Sequence, residues 1–187
     1  MVLSEELIGR GFSLQDTVEN DLEKYIDINR ACRKKYMDEY NGGWIDDIQV
    51  ILNTDSFHKM LKYSCFKKIL QFNTIVGFFS FNELTDKICE ISLFLTGPAR
   101  LKGIEAFYLK HITTLSKQVS KPIFLNVYKS DPVHELYKQF GFKIYDQSRA
   151  QYIMSFNQED TNDTNDLNNT NNSYDARSYM NRLLIKG

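Results

Sequence analysis

The chain has 187 residues, 42% of them hydrophobic, which is enough for one domain with a buried core. Its formal net charge of −1 argues against binding through bulk attraction to nucleic acid or to a membrane surface. Cys32, Cys65 and Cys89 are widely spaced, so we expect neither a disulfide framework nor a metal site. The first residues lack the pattern of a signal peptide and no segment reaches membrane-spanning length, so we expect a cytoplasmic protein.

The first half of the chain predicts one strand, two helices and then three strands. The strand covers residues 11–17, and a helical pattern runs from residue 21 toward Tyr36 and stops at Asn41-Gly42-Gly43. A second helical pattern runs from Trp44 to Leu61, and residues 53–55 allow an interruption in it. Three strand-like runs follow at residues 66–72, 74–81 and 87–95, separated by turn residues, which predicts an antiparallel meander.

The second half alternates between helix and strand. After Gly97-Pro98, apolar residues at helical spacing predict an amphipathic helix from residue 104 to residue 115. A strand follows at residues 123–127. Asp131 is then placed to cap a short helix with Pro132 at its first position, and Gly141 is placed to end that helix in a left-handed conformation. Residues 150–156 predict a closing strand.

The composition changes sharply after the closing strand. Residues 157–175 are rich in Asn, Asp and Thr and contain almost no apolar side chains, which predicts a flexible linker. Residues 177–186 include Tyr179, Met180, Leu183, Leu184 and Ile185, and we expect a short helix that docks on this domain or on a neighbour. The predicted organisation is therefore a domain at residues 1–156 and an extension at residues 157–187.

The segment from Ile123 to Phe142 resembles the last conserved segment of the GNAT superfamily of acyl-CoA N-acyltransferases. The resemblance is strongest at Leu136-Tyr137 and Gly141-Phe142, whereas Asp131 and His134 depart from the family pattern. The predicted order of elements is also that of the GNAT fold. The resemblance implies an α+β protein of three α/β/α layers, with a mixed, mostly antiparallel sheet and helices on both faces. It also implies acetyl-CoA as co-substrate and no metal.

The resemblance extends to a phosphate-binding loop that opens the central helix. By this resemblance the loop is Arg100-Leu101-Lys102-Gly103-Ile104-Glu105, and its first five residues are expected to bind the pyrophosphate of CoA. Free N–H groups at a helix start bind phosphate without particular side chains. Glu105 departs from the Gly or Ala that is usual in the family, and a carboxylate there should repel a pyrophosphate unless it turns away. The alternative is an ordinary helix start, with Glu105 favoured by the helix dipole.

The resemblance also assigns catalytic roles. Tyr137 occupies the position that commonly donates a proton to the leaving thiolate, and Glu90 resembles the base on the strand before the phosphate loop. Without the resemblance, Tyr137 is explained equally well as a core tyrosine. Glu90 is then explained as a solvent-facing residue of a strand.

The remaining expected ligand contacts line the cleft in which CoA and the acceptor would bind. Main-chain groups of Phe94 and Leu95 are expected to pair with pantetheine where their strand splays from the strand at residues 123–127, and Asn126 and Asp131 should face that cleft. On the acceptor side, the resemblance places Tyr36, Tyr40 and Trp44, whose aromatic faces suit a cationic amine. Two of these side chains have an alternative interpretation: Asp131 as a simple helix cap and Trp44 as a core residue.

The resemblance thus implies an N-acetyltransferase in which a primary amine directly attacks acetyl-CoA. The acceptor is a small molecule or a protein amine, and we expect a monomer or homodimer without nucleic acid or membrane partners. The alternative is a non-catalytic GNAT-like module that binds CoA weakly or contacts a protein partner.

Overall fold

The computed structural model describes residues 1–158, and their elements follow the predicted order with two additions. The helices are α1 (Glu5–Gly9), α2 (Leu22–Tyr40), α3 (Asp46–Tyr63), α4 (Ile104–Val119) and α5 (Val133–Gln139). The strands are β1 (Phe12–Asp16), β2 (Cys65–Gln71), β3 (Thr74–Glu83), β4 (Ile88–Leu95), β5 (Ile123–Tyr128), β6 (Lys143–Gln147) and β7 (Gln151–Phe156). The two elements without a predicted segment are α1, whose first turn is capped by Ser4, and β6. The expectations for residues 159–187 lie outside the described residues.

The interruption expected in α3 is absent, and a buried amide pair explains why. Asn29 Nδ2 of α2 donates to Asn53 Oδ1 at 2.6 Å, and Asn53 Nδ2 donates to the carbonyl of Gln49 at 2.7 Å. The Asn53 amide therefore bonds to the neighbouring helix and to its own helix without breaking the backbone ladder.

The sheet has seven strands in the order β1-β2-β3-β4-β5-β7-β6. Every neighbouring pair is antiparallel except β4 and β5, which are parallel. This is the mixed, mostly antiparallel sheet that the resemblance implied.

Helices cover both faces of this sheet. Phe78 and Phe94 pack in a cluster with residues of α2 and α3, whereas their chain neighbours Phe79 and Leu95 pack in a second cluster with residues of α4. Successive strand side chains point to opposite faces, so the two clusters are the two layers of the core. The apolar stripe of α5, including Tyr137, packs against the α4 cluster. The predicted α+β layering is confirmed.

The short helix α5 begins one residue later than expected. Pro132 precedes the first helical residue, and Asp131 Oδ1 accepts a hydrogen bond from the backbone N–H of Val133 at 3.0 Å. Gly141 has φ +88°, the left-handed conformation predicted for the residue that ends this helix.

Candidate active site

The parallel strands β4 and β5 separate toward their carboxyl ends. Their registered pairing is Ile88 with Ile123, and Ile88 N–H also donates to the carbonyl of Pro122 at 2.8 Å. All of these residues lie at the amino ends of the two strands. The expected splay is therefore present, and it opens the sheet between Leu95 and Tyr128, the residues at which the strands end.

Two side chains bind the carbonyl oxygen at the end of β4. Cys32 Sγ of α2 donates to the Leu95 carbonyl at 3.4 Å, and Arg100 Nε donates to the same oxygen at 3.3 Å. Arg100 thus reaches back from the predicted phosphate loop to the splayed strand. A ligand that pairs with the Leu95 carbonyl would share that oxygen with these donors or displace them.

The second half of α2 packs over the end of β5 through stacked tyrosines. The Tyr36 and Tyr128 ring centroids lie 4.9 Å apart with a 9° angle between the planes, and Tyr40 stacks on Tyr128 at 5.7 Å. Tyr36 is only 5% exposed. The structure therefore brings two predicted acceptor residues, which precede β5 by more than 80 positions, to the end of β5.

Tyr128 was missed in the sequence. It is the last residue of β5, and an aromatic side chain at the end of a strand beside a topological opening is a signal that could have identified it. Asn126 lies two positions earlier on the same strand face and is exposed, as expected for a residue that faces the cleft.

Asp131 links the tyrosine stack to the predicted catalytic tyrosine. Burial raises the pKa of Tyr36 well above its usual value, the hydrogen-bonded Asp131 carboxylate raises it further, and the Arg100 guanidinium opposes this increase. Burial also raises the pKa of Tyr137 well above its usual value, with the Asp131 charge adding to the effect. Both phenols consequently keep their protons at neutral pH.

The departure of His134 from the family pattern has a local explanation. Its Nδ1 lies 2.6 Å from the carbonyl of Asp131, and its Nε2 lies 3.0 Å from Glu135 Oε1. Both ring nitrogens of His134 therefore contact residues at the start of α5 and stabilise its first turn.

In the predicted phosphate loop, an internal carboxylate already binds one of the N–H groups. Glu105 Oε1 accepts a hydrogen bond from the backbone N–H of Leu101 at 3.0 Å. Leu101 has φ +58° and Gly103 φ +93°, and both are left-handed conformations that bend the loop. The Glu105 side chain therefore turns back toward the loop rather than away from it.

The phosphate loop is also anchored to distant parts of the chain. Arg10 Nη1 donates to the carbonyl of Lys102 at 3.0 Å, and Lys102 Nζ donates to Gln71 Oε1 at 3.3 Å. The side chain of Lys102 is therefore held at the end of β2, and its contact with a pyrophosphate stays a prediction.

Glu90 lies at an irregularity of β4. Ser80 pairs with Ser92 and Asn82 pairs with Cys89, so two residues of β4 oppose one residue of β3. Glu90 has φ +53°, is exposed, and has its Oε2 3.4 Å from Asn82 Nδ2. A β-bulge can change the direction of a side chain. At the bulge of β4 the predicted base Glu90 is accessible to solvent.

Trp44 does not belong to either core cluster. It is half-buried just before α3, its backbone N–H donates to Asp38 Oδ1 at 2.9 Å, and its indole N–H donates to Asp46 Oδ1 at 3.0 Å. The alternative of Trp44 as a core residue is therefore wrong. Its contact with an acceptor stays a prediction.

Two further searches cover only residues 1–158. No cluster of three or more His, Cys, Asp or Glu side chains there could hold a metal ion. No helix in this part of the chain combines the length and apolar character needed to cross a membrane.

Solved structures similar to this one include several acetyltransferases, although no family model and no curated protein matches the sequence. One is the PaiA N-acetyltransferase of Thermoplasma acidophilum in complex with coenzyme A, at 18% identity and TM-score 0.61, with 77% of this chain and 97% of that chain covered. A second is the ribosomal-protein-S18-alanine N-acetyltransferase of Escherichia coli, at 14% identity and TM-score 0.56, covering 77% and 92%. A third is Arabidopsis thaliana Naa50 with the bisubstrate analogue CoA-Ac-MVNAL, at 20% identity and TM-score 0.52, covering 78% and 98%. The chain therefore has the fold of the GNAT N-acetyltransferases.

Proposed function

We propose that this chain is an N-acetyltransferase that transfers the acetyl group of acetyl-CoA to a primary amine by direct attack. The observation that carries the proposal is the opening between β4 and β5, beside which α5 holds the half-buried, protonated Tyr137. The coenzyme A complex of the similar PaiA protein supports a CoA-type co-substrate for this fold.

In this proposal the thioester lies between the splayed strands. Main-chain groups of Phe94 and Leu95 bind the pantetheine arm, and Asn126 and Asp131 face it from the other side of the opening. The pyrophosphate lies on the loop from Arg100 to Ile104, where the loop N–H groups and two cationic side chains favour an anion.

The chemistry requires two proton transfers. Glu90 takes a proton from the ammonium form of the acceptor, directly or through water, because only the neutral amine has a lone pair for attack. The amine nitrogen bonds to the thioester carbon, and the tetrahedral intermediate then collapses by breaking the carbon–sulfur bond. Tyr137 donates its phenolic proton to the departing thiolate. The phenol is protonated at neutral pH, whereas burial, which raises the pKa of Tyr137, makes it a weaker acid.

The stacked tyrosines favour a cationic acceptor. Tyr40 is half-buried and stacks on Tyr128 at the end of β5, and Glu39 lies beside it on α2. The Tyr36 ring is buried and has Lys35 Nζ 4.7 Å from its centroid, so it supports the stack and presents no free face. Aromatic faces and carboxylates both attract an ammonium group before it is deprotonated. We propose a small amine or a protein amine as the acceptor, and a cytoplasmic monomer or homodimer as the working form.

A non-catalytic role is the second candidate, and the hydrogen bond between Glu105 and Leu101 favours it. A carboxylate that occupies a loop N–H group competes with a pyrophosphate for the same donor and repels it. In this case the chain would keep the fold and bind CoA weakly or not at all.

Calorimetric titration with CoA and with acetyl-CoA, followed by an acetylation assay on a panel of amines, separates the two candidates. The enzyme proposal expects saturable binding, and ligand at about 100 times its Kd should stabilise the fold by about 2.7 kcal/mol. It also expects acetyl transfer to at least one amine, detected as a mass increase. Binding without transfer to any amine supports the non-catalytic module, and absence of binding at millimolar CoA contradicts the enzyme proposal.

A further inference from the structure

Aliphatic side chains form an exposed stripe on the first half of α3. The α3 stripe consists of Ile45 (56% exposed), Ile48 (49%), Ile51 (63%) and Leu52 (44%). These positions recur at intervals of three and four residues, so they share one side of the helix. The core-facing side of α3 carries the buried Asn53, Phe57 and Met60 instead. Exposed apolar side chains that share one side of a helix leave a surface that a partner can cover.

The α3 stripe is flanked by carboxylates. Asp47 and Asp55 are exposed and lie one turn before and one turn after Ile51, on the same line along the helix. Neither has an ion-pair partner among residues 1–158, whereas Asp46 is bound by Arg30 at 3.1 Å. The surface therefore suits a partner that is apolar in the middle and basic at its edges.

The C-terminal segment of this chain has that composition. Residues 177–186 contain three cations and no Asp or Glu. Its apolar residues recur at helical spacing: Tyr179, Met180, Leu183 and Leu184. A helix of this segment would present one apolar stripe with Arg177, Arg182 and Lys186 beside it.

The connection is long enough to reach α3. Asn157 Nδ2 donates to the carbonyl of Ser116 at 3.2 Å, so the described chain ends beside α4, on the sheet face opposite α3. The roughly 18 residues between positions 158 and 177 span about 60 Å when extended. A domain of this size has a radius of gyration of only about 15 Å.

Tethering favours the chain's own segment over a second copy. A linked segment meets its site at an effective concentration in the millimolar range, which exceeds that of separate molecules at micromolar protein. We propose that residues 177–186 dock on the α3 stripe of the same molecule, with their apolar side chains on Ile48, Ile51 and Leu52 and their cations beside Asp47 and Asp55.

Hydrogen exchange on the full-length chain tests this docking. We expect the amides of residues 179–185 to exchange at least about tenfold more slowly than their intrinsic rates. Because the contact is intramolecular, this protection should be the same at low and high micromolar protein. Exchange at the intrinsic rate would overturn the proposal, and protection that grows with protein concentration would assign the surface to a second copy instead.

Reciprocal variants locate the contact. Ile51→Asp changes an exposed side chain and should abolish protection of residues 179–185, as should the double change Leu183→Asp and Leu184→Asp. Val2→Asp is the matched control, because Val2 is an aliphatic residue that is 85% exposed and lies outside α3, and it should leave the protection intact. Protection that survives Ile51→Asp would show that the segment docks elsewhere and would overturn the proposal.

Discussion

Glu105 and Leu101 form a hydrogen bond inside the loop that is predicted to bind a pyrophosphate. The carboxylate accepts from the Leu101 backbone N–H at 3.0 Å, and it does so from the first turn of α4, where an acidic side chain is also favoured by the helix dipole. The Glu105 carboxylate thus binds a loop N–H group at the place where the pyrophosphate of CoA is expected. Any CoA complex of this chain must either displace that carboxylate or bind beside it.

Removal of the Glu105 charge should tighten CoA binding. One charge at about 6–8 Å from a phosphate is worth roughly 2 kcal/mol at an effective dielectric constant of about 20. Screening by solvent and salt reduces this to about 1 kcal/mol or less, an increase in affinity of up to about fivefold. Glu105→Gln keeps the shape of the side chain and removes its charge, whereas Glu105→Ala removes both. Calorimetric titration of the two variants with CoA therefore separates the effect of the charge from that of the hydrogen bond to Leu101. Weaker binding in both variants would show that Glu105 organises the loop.

Tyr137→Phe should lower turnover and leave CoA affinity unchanged. The substitution removes the proton donated to the thiolate, and loss of general acid catalysis costs about 10²–10⁴-fold in rate. Tyr63→Phe is the matched control, because Tyr63 is 62% exposed at the end of α3. The measurement is kcat with the best acceptor, together with the Kd for CoA. An unchanged kcat would make Tyr137 a structural residue.

The folded chain should lose stability above pH 10. Burial is the main cause that raises the pKa values of Tyr36, Tyr108 and Tyr137 above those of the unfolded chain, near 10. Above pH 10 the unfolded chain releases these protons while the folded chain keeps them, so the unfolding free energy falls as the pH rises. Each group contributes a slope of up to about 1.4 kcal/mol per pH unit. Urea unfolding between pH 8 and pH 11 measures this slope, and Tyr36→Phe should reduce it.

Phe57→Ala should destabilise the α2/α3 layer strongly. Phe57 is completely buried, and its ring lies 5.3 Å from that of Tyr25 and 5.4 Å from that of Phe66. Truncation of a buried Phe to Ala costs about 3–5 kcal/mol, because the cavity that remains closes only in part. Phe72→Ala, at a position that is 75% exposed, should cost far less in the same urea titration. Equal losses would contradict the assignment of Phe57 to the core.

The order of most elements can be predicted from the sequence, because each predicted element has a local period or a local stop signal. The alternation from Ile123 to Tyr128, the helical stripe that includes Leu136 and Tyr137, and Gly141 at its end are all readable within a few neighbouring residues. The match of this same segment to the GNAT pattern identified the fold. Helix α1 and strand β6 were not located: each has only five residues, α1 has no repeated apolar period, and every residue of β6 is exposed.

Contacts between distant parts of the chain set the positions of the polar side chains. Asn53 keeps α3 continuous through its bond to Asn29 on another helix, and the bulge at β4 that turns Glu90 outward is set by the register with β3. Glu105 accepts a hydrogen bond from Leu101, only four residues away. Even this bond depends on the left-handed conformations of Leu101 and Gly103, in a loop to which Arg10 donates a hydrogen bond from a distant part of the chain. A hydrogen bond between distant residues forms only after packing has brought them together, so a local pattern in the sequence contains no record of it.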